Sequence, residues 1–144
     1  MSEKYKTAVK WYRLAAEQGD AGGKTNLGLM YGNGQGVSRD DKTAVKWYRL
    51  AVEQGDAEAQ HNLGVMYENG TGVPQNDKTA VKWYRLAAQQ EVAAAQSNLG
   101  TMYNNGQGVP QNYKTAVNCD TIAAQQGNAP AQSQLGHTYP PPKG

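Results

Sequence analysis

The chain has 144 residues, and its 14 basic and 12 acidic side chains are interspersed to give a formal charge of +2. So even a balance excludes a partner recruited by net charge alone, whether nucleic acid or an anionic membrane. A single cysteine, Cys119, excludes an internal disulfide framework, and the absence of Phe leaves nine Tyr and three Trp as the bulky side chains of a thin, Ala-lined core.

The N-terminal MSEKYKTAVKW is amphipathic from the start and lacks the apolar run of a secretory signal; no window reaches the length needed to span a bilayer. The chain is therefore read as soluble, with the cytoplasm preferred to the periplasm. Because it enters its first helical pattern almost at once, it is also read as a segment of a longer array or a mature portion.

Within that opening stands Lys6 to Ala15, KTAVKWYRLA, which recurs letter for letter at Lys42 to Ala51 and Lys78 to Ala87, with an eroded KTAVNCDTIA from Lys114. The interval is 36 residues throughout. A second motif, NLG-x-MY, keeps the same period at Asn26, Asn62 and Asn98, with a degraded QLG-x-x-Y from Gln134, and NG-x-GV links the two at Asn33, Asn69 and Asn105. A fixed period of this length is the signature of a stacked array, in which each copy buries its apolar face against its neighbours.

In helical projection, Leu50, Trp47, Ala51, Ala44, Tyr48, Val52, Val45 and Gln54 form one broad arc, with Lys46, Arg49 and Glu53 opposite. This WY helix needs so wide a buried face because it packs against its own partner and the next copy. Gly55 stops it in the left-handed conformation, as Gly19 and Gly127 do in their copies. The following segment, Asp56 to Asn69, is a second helix, the LG helix, with Ala57, Ala59, Leu63, Gly64, Met66 and Tyr67 on one side and Glu58, His61, Asn62, Val65 and Glu68 on the other. Gly64, matched by Gly28, Gly100 and Gly136, predicts close approach of a neighbouring helix or a Trp ring, since a helix-interior Gly otherwise costs about 1 kcal/mol relative to Ala. In NGTGVPQND, two Gly, an apolar plug at Val73, Pro74 and an N-cap at Asn76 or Asp77 all have turn-making roles. The G-x-G-x-G in the first such loop is no phosphate loop, because no strand precedes it and no GK[ST] follows.

The copies depart from one another in a few places. Glu91 replaces a stopping Gly, so that turn is strained or the helix runs on; Gly22 and Gly23 weaken the helix starting at Ala21. Cys119 and Asp120 replace a Trp-Tyr pair, removing the largest buried ring and making the fourth copy the least stable. Pro140, Pro141 and Pro142 end the last helix.

With A-x-A-Q-x-NLG-x-MY, NG-x-GVPQN and KTAVKWYRLA-x-QG in register over nearly its whole length, the chain resembles the Sel1-like repeat family, a relative of tetratricopeptide repeats. The resemblance implies an all-α, right-handed superhelical solenoid of antiparallel helix pairs, about eight helices in all. It divides the single array 1–144 into a lone WY helix 4–18, pairs at 20–55, 56–91 and 92–127, a lone LG helix 128–139 and a tail 140–144. The cysteine-rich branch of that family, associated with penicillin-like ligands, is excluded by one cysteine and no S-x-x-K.

Repetition supplies the same residue at regular translations, whereas catalysis needs unlike groups converging, so no enzyme, cofactor or metal is expected. Cys119 reads as a buried inert thiol, and His61 and His137 lack ligand spacing. The resemblance implies that the outer side of the LG helices forms a concave, peptide-binding face: Thr25, Asn26 and Leu29; Glu58, His61, Asn62 and Val65; Ala94, Ser97, Asn98 and Thr101; Ser133, Gln134 and His137. Asn26, Asn62 and Asn98 occupy the place from which an Asn in related arrays hydrogen-bonds a peptide backbone. The function this implies is an adaptor or scaffold binding a protein segment. The alternatives are a nucleic-acid module using the stripe of Lys10, Arg13, Lys46, Arg49, Lys82 and Arg85, or a ligand-binding accessory protein. The half-copy start also predicts end-to-end association.

Overall fold

The computed structural model describes residues 2–138, among which there are eight helices and no strand. They divide between Asn76 and Asp77 into two compact units. The first contains α1 (Glu3–Glu17), α2 (Ala21–Asn33), α3 (Asp41–Val52) and α4 (Ala57–Asn69); the second contains α5 (Asp77–Gln89), α6 (Ala93–Asn105), α7 (Tyr113–Gln125) and α8 (Ala129–Thr138). Odd-numbered helices carry the WY motif and even-numbered ones the LG motif. Within each unit, consecutive helices pack on one another, which is the all-α repeat arrangement that the period predicts. The expected proline stop at 140–142 lies outside the described residues.

Side-chain caps set five of the helix starts, whereas Ser2 before α1 and Val92 before α6 make no such bond. The carboxylates of Asp20, Asp40 and Asp56 accept from the backbone N–H groups of Gly23, Thr43 and Ala59, and the side-chain oxygens of Asn112 and Asn128 accept from Thr115 and Ala131. A cap of this kind stabilises a helix by about 1 kcal/mol. Asp40 also accepts from the Thr43 hydroxyl at 2.7 Å, and these bonds hold its carboxyl below the usual range. Asn76, just before α5, is in register with Asp40 and Asn112.

The stops repeat as well. Gly34, Gly70 and Gly106 end the LG helices in the left-handed conformation, while Gly19, Gly55 and Gly127 follow WY helices with positive φ. Glu91 takes the same conformation, φ 66°, so the turn is strained and the helix does not run on. Left-handed backbone costs a non-glycine residue roughly 1–2 kcal/mol. Glu91→Gly is therefore expected to raise stability by about 1 kcal/mol after the entropy that Gly adds to the unfolded chain. An unchanged denaturation midpoint would show that the turn carries no such strain.

The core corrects one expectation. Tyr, not Trp, supplies the buried ring: Tyr48 and Tyr84 are 4% and 1% exposed, Trp47 and Trp83 are half-buried, and Trp11 is 63% exposed. At Gly28 the close neighbour is that Tyr ring and not a Trp. A Cβ at Gly28 would stand 2.6 Å from Cε1 of Tyr48 and 3.2 Å from the Ala44 carbonyl oxygen, so α2 and α3 approach as closely as they do because position 28 has no side chain. Gly23 similarly admits α1, since a Cβ there would lie 2.7 Å from that of Ala15. Its weak helix propensity is the condition for this contact.

Candidate binding face

In the first unit, the outer side of α2 and α4 and the loops that follow them enclose an open cleft of about 280 Å3. Leu29 from α2 and Val65 and Met66 from α4 give it an apolar floor. Asn62, Asn33, Asn69 and Thr71 supply amides and a hydroxyl, and Arg39, Asp41 and Tyr48 enter from the loop and from α3. Arg39 donates from Nε and Nη2 to the two carboxylate oxygens of Asp41, both at 3.2 Å, which fixes the guanidinium at the cleft. Burial, with the Asp41 charge adding, pushes the Tyr48 phenol up to about 12, so its hydroxyl keeps its proton. The cleft thus combines apolar floor, amide donors and acceptors, and one paired cation, the mixture that holds an extended backbone with small side chains between its polar groups.

The residues named from sequence separate into distinct groups. Leu29, Asn62 and Val65 line the cleft. Thr25 does not belong to the open face: it is 2% exposed, and its hydroxyl donates to Asp56 Oδ2 at 2.7 Å, so it joins one repeat to the next. Asn26 is half-buried and Glu58 exposed, both outside the cleft lining. His61 is half-buried; burial lowers its pKa against the opposing effects of a hydrogen bond with Asn62 and the Glu58 charge, leaving the imidazole neutral at pH 7. In the second unit, Ala94, Ser97 and Asn98 are half-buried and Thr101 is exposed with its hydroxyl donating to the Ser97 carbonyl; Ser133, Gln134 and His137 are exposed along α8. Asn33, Arg39, Asp41, Asn69 and Thr71 were missed, because their places in recurrent loops are explained by turn chemistry alone.

The basic stripe has a different employment. Arg13, Arg49 and Arg85 donate from Nη2 to the hydroxyls of Tyr31, Tyr67 and Tyr103 at 3.0, 2.9 and 2.8 Å. Each arginine thereby ties a WY helix to the LG helix after it. Lys82 lies 5.4 Å from the ring centroid of Trp83. Cys119 is buried, and burial followed by the Asp120 charge raises its thiol pKa, the reverse of an activated nucleophile. Among the described residues, no three His, Cys, Asp or Glu side chains cluster to hold a metal, and no helix is long and apolar enough to cross a membrane.

The Sel1 repeat model matches residues 2–20, 23–56, 57–92 and 93–128, nearly the whole chain. The chain belongs to the Sel1 repeat family. Sel1 repeats are generally protein–protein interaction modules. Among solved structures, this Sel1 array is similar to c5321, a protective antigen of uropathogenic Escherichia coli displaying an SLR fold, at 45% identity and TM-score 0.86, covering 90% of this chain and 28% of that one. A Sel1 repeat protein from Oxalobacter formigenes is 40% identical with TM-score 0.87, covering 93% of this chain and 55% of that one. The Helicobacter pylori cysteine rich protein B is 25% identical with TM-score 0.72, over 92% and 96% of the two chains. The Sel1 array thus spans 28% and 55% of the length of the first two. No curated protein matches it.

Proposed function

We propose that this chain is a non-catalytic adaptor or scaffold module that receives an extended polypeptide segment of a partner protein along the outer side of its LG helices. The observation that carries this reading is the cleft of the first unit, where Leu29 and Val65 form an apolar floor between Asn33, Asn62 and Asn69. Amides spaced along α2, α4 and their loops can pair with the alternating N–H and C=O groups of a strand-like peptide, and the shallow floor accepts its side chains. The nucleic-acid alternative is weakened because the arginines it requires are bonded to tyrosines.

The test is selection of displayed random peptides on the intact chain, followed by affinity measurement on single variants. Asn62→Ala and Asn69→Ala are each expected to weaken a selected peptide by about 5- to 10-fold, the effect of losing a hydrogen bond to a binding partner. Lys46→Ala and Lys82→Ala should leave the affinity unchanged. Peptides that ignore Asn62, Asn69 and Leu29 would overturn the assignment.

A further inference from the structure

We propose that the stripe of α3 from Lys42 to Leu50 is a second binding site, for an acidic segment of a partner protein whose Asp or Glu side chains stand beside an aliphatic residue. In the first unit an open cleft of about 390 Å3 is lined by Lys42, Lys46 and Arg49, with Val45 and Leu50 as its apolar floor and Gly72 as its wall. Positions 42, 45, 46, 49 and 50 share one side of a helix, so the three cations follow one another at about 6 and 4.5 Å along the axis, with an apolar residue on either flank. Gly72 brings the loop after α4 against this stripe: a Cβ there would stand 2.6 Å from the Asp41 carbonyl oxygen and 3.1 Å from Cγ2 of Val45. The cleft shares no lining residue with the one on the LG helices, and the site stands whether or not that one is occupied.

The charge of this cleft is unmatched by its surroundings. Neither Lys42 nor Lys46 forms an ion pair among the described residues, and the Asp40 carboxylate that feels Lys42 is already the cap of α3. Arg49 donates from Nη2 to the Tyr67 hydroxyl at 2.9 Å, which orients the guanidinium and leaves its other N–H groups for a carboxylate. In the sister helices the same positions are otherwise engaged: Lys6 of α1 pairs with Glu3 at 3.5 Å, Lys82 of α5 lies 5.4 Å from the Trp83 ring centroid, and α7 has Asn118 and Thr121 in place of Lys46 and Arg49. Three cations within about 10 Å repel one another, and carboxylates laid along them relieve that repulsion. A nucleic acid is the poorer occupant, because the lining holds no aromatic ring on which a base could stack. A free inorganic anion would leave the apolar floor in water, whereas an aliphatic side chain next to a carboxylate covers it.

The test uses the intact chain and two displayed peptide libraries, one built from Asp, Glu, Leu, Ile, Ala and Gly, the other with Asn and Gln in place of the acids. The acidic library is expected to yield binders, and the amide library none that respond to changes at Lys42 or Lys46. For a selected acidic peptide, Lys42→Glu and Lys46→Glu should each weaken binding about 10-fold, and raising salt from about 0.05 to 0.5 M should do the same. Glu53→Gln, which removes the carboxylate one turn past Arg49, should tighten it about 2-fold. Asn62→Ala should change nothing, which separates this site from the cleft of the LG helices. Both lysines are exposed, so far-UV circular dichroism should show the same helix content in the variants. The same peptide with its acids exchanged for Lys should bind the double variant Lys42→Glu, Lys46→Glu about 10-fold better than it binds the wild type, a reversal that no merely structural role of the lysines would give. Absence of an acidic binder that depends on both lysines, a charge-exchanged peptide without that preference, or tighter capture of a single-stranded DNA oligonucleotide or of phosphatidylserine vesicles through the same lysines would each overturn the proposal.

Discussion

Gly28→Val is expected to destabilise the first unit by about 3 kcal/mol, although Gly to a larger residue in a helix interior ordinarily gains propensity. The reversal comes from position. A Cβ at Gly28 would stand 2.6 and 2.8 Å from two carbons of the Tyr48 ring and 3.2 Å from the backbone of α3, so α2 and α3 must part. Tyr48→Ala alone removes a ring 4% exposed and should cost about 3–5 kcal/mol through lost burial and the cavity left behind. The two effects share the same space. Gly28→Ala combined with Tyr48→Ala should therefore cost less than the sum of the separate changes, by about 1–2 kcal/mol, because the new methyl group enters the volume the ring vacated. Gly136→Ala is the control: the same LG motif with an open Cβ position, where the change should be neutral or stabilising by about 1 kcal/mol in dilute solution. Equal effects at 28 and 136 in chemical denaturation, or strict additivity in the double variant, would refute the ring-in-notch contact.

The contrast between those two glycines shows what the sequence could convey. Helices and stops depend on a few neighbouring residues, so the 36-residue period makes them legible almost to the residue; even Glu91 stands out in the sequence where the other copies have Gly, and its φ is 66°. Which ring fills the notch was not legible. Trp47 and Tyr48 are adjacent and both lie on one broad apolar arc, and only the rotation of α3 against α2 decides that the Tyr turns inward. Thr25 was misplaced for a related reason: the helical period puts it on the outer side of α2, but Asp56, 31 residues later, reaches back to cover it. Asn33, Arg39 and Asn69 passed as turn residues because turn chemistry already accounted for them. Their second role depends on the loops folding over the outer side of the LG helices, which no local pattern encodes.

Asp120→Tyr is expected to stabilise the second unit by about 2 kcal/mol at neutral pH, equivalent to a rise of about 10 °C in its melting temperature. Asp120 occupies the position of Tyr48 and Tyr84 with 4% of its surface exposed, and burial raises its carboxyl pKa above the ordinary value. A tyrosine there would refill the space beside Gly100 and remove a carboxylate that folding must dehydrate. It would also place a hydroxyl near Asn104, whose buried Oδ1 has no hydrogen-bond partner; in the first unit the Tyr48 hydroxyl lies 3.9 Å from the Cβ position of Gly32, the counterpart of Asn104. The pH dependence has a definite sign. Between the unfolded value of 3.8 and the raised folded value, the native chain holds a proton that the unfolded chain has released. The contribution of Asp120 to stability is thus fully present below 3.8 and lost as pH rises through the folded pKa. The advantage of Asp120→Tyr, and of Asp120→Asn as an uncharged control, should accordingly be larger at pH 7 than at pH 4. An advantage that is flat across that range would mean that the buried carboxyl is as well solvated in the fold as outside it, and that the gain comes from the restored ring alone.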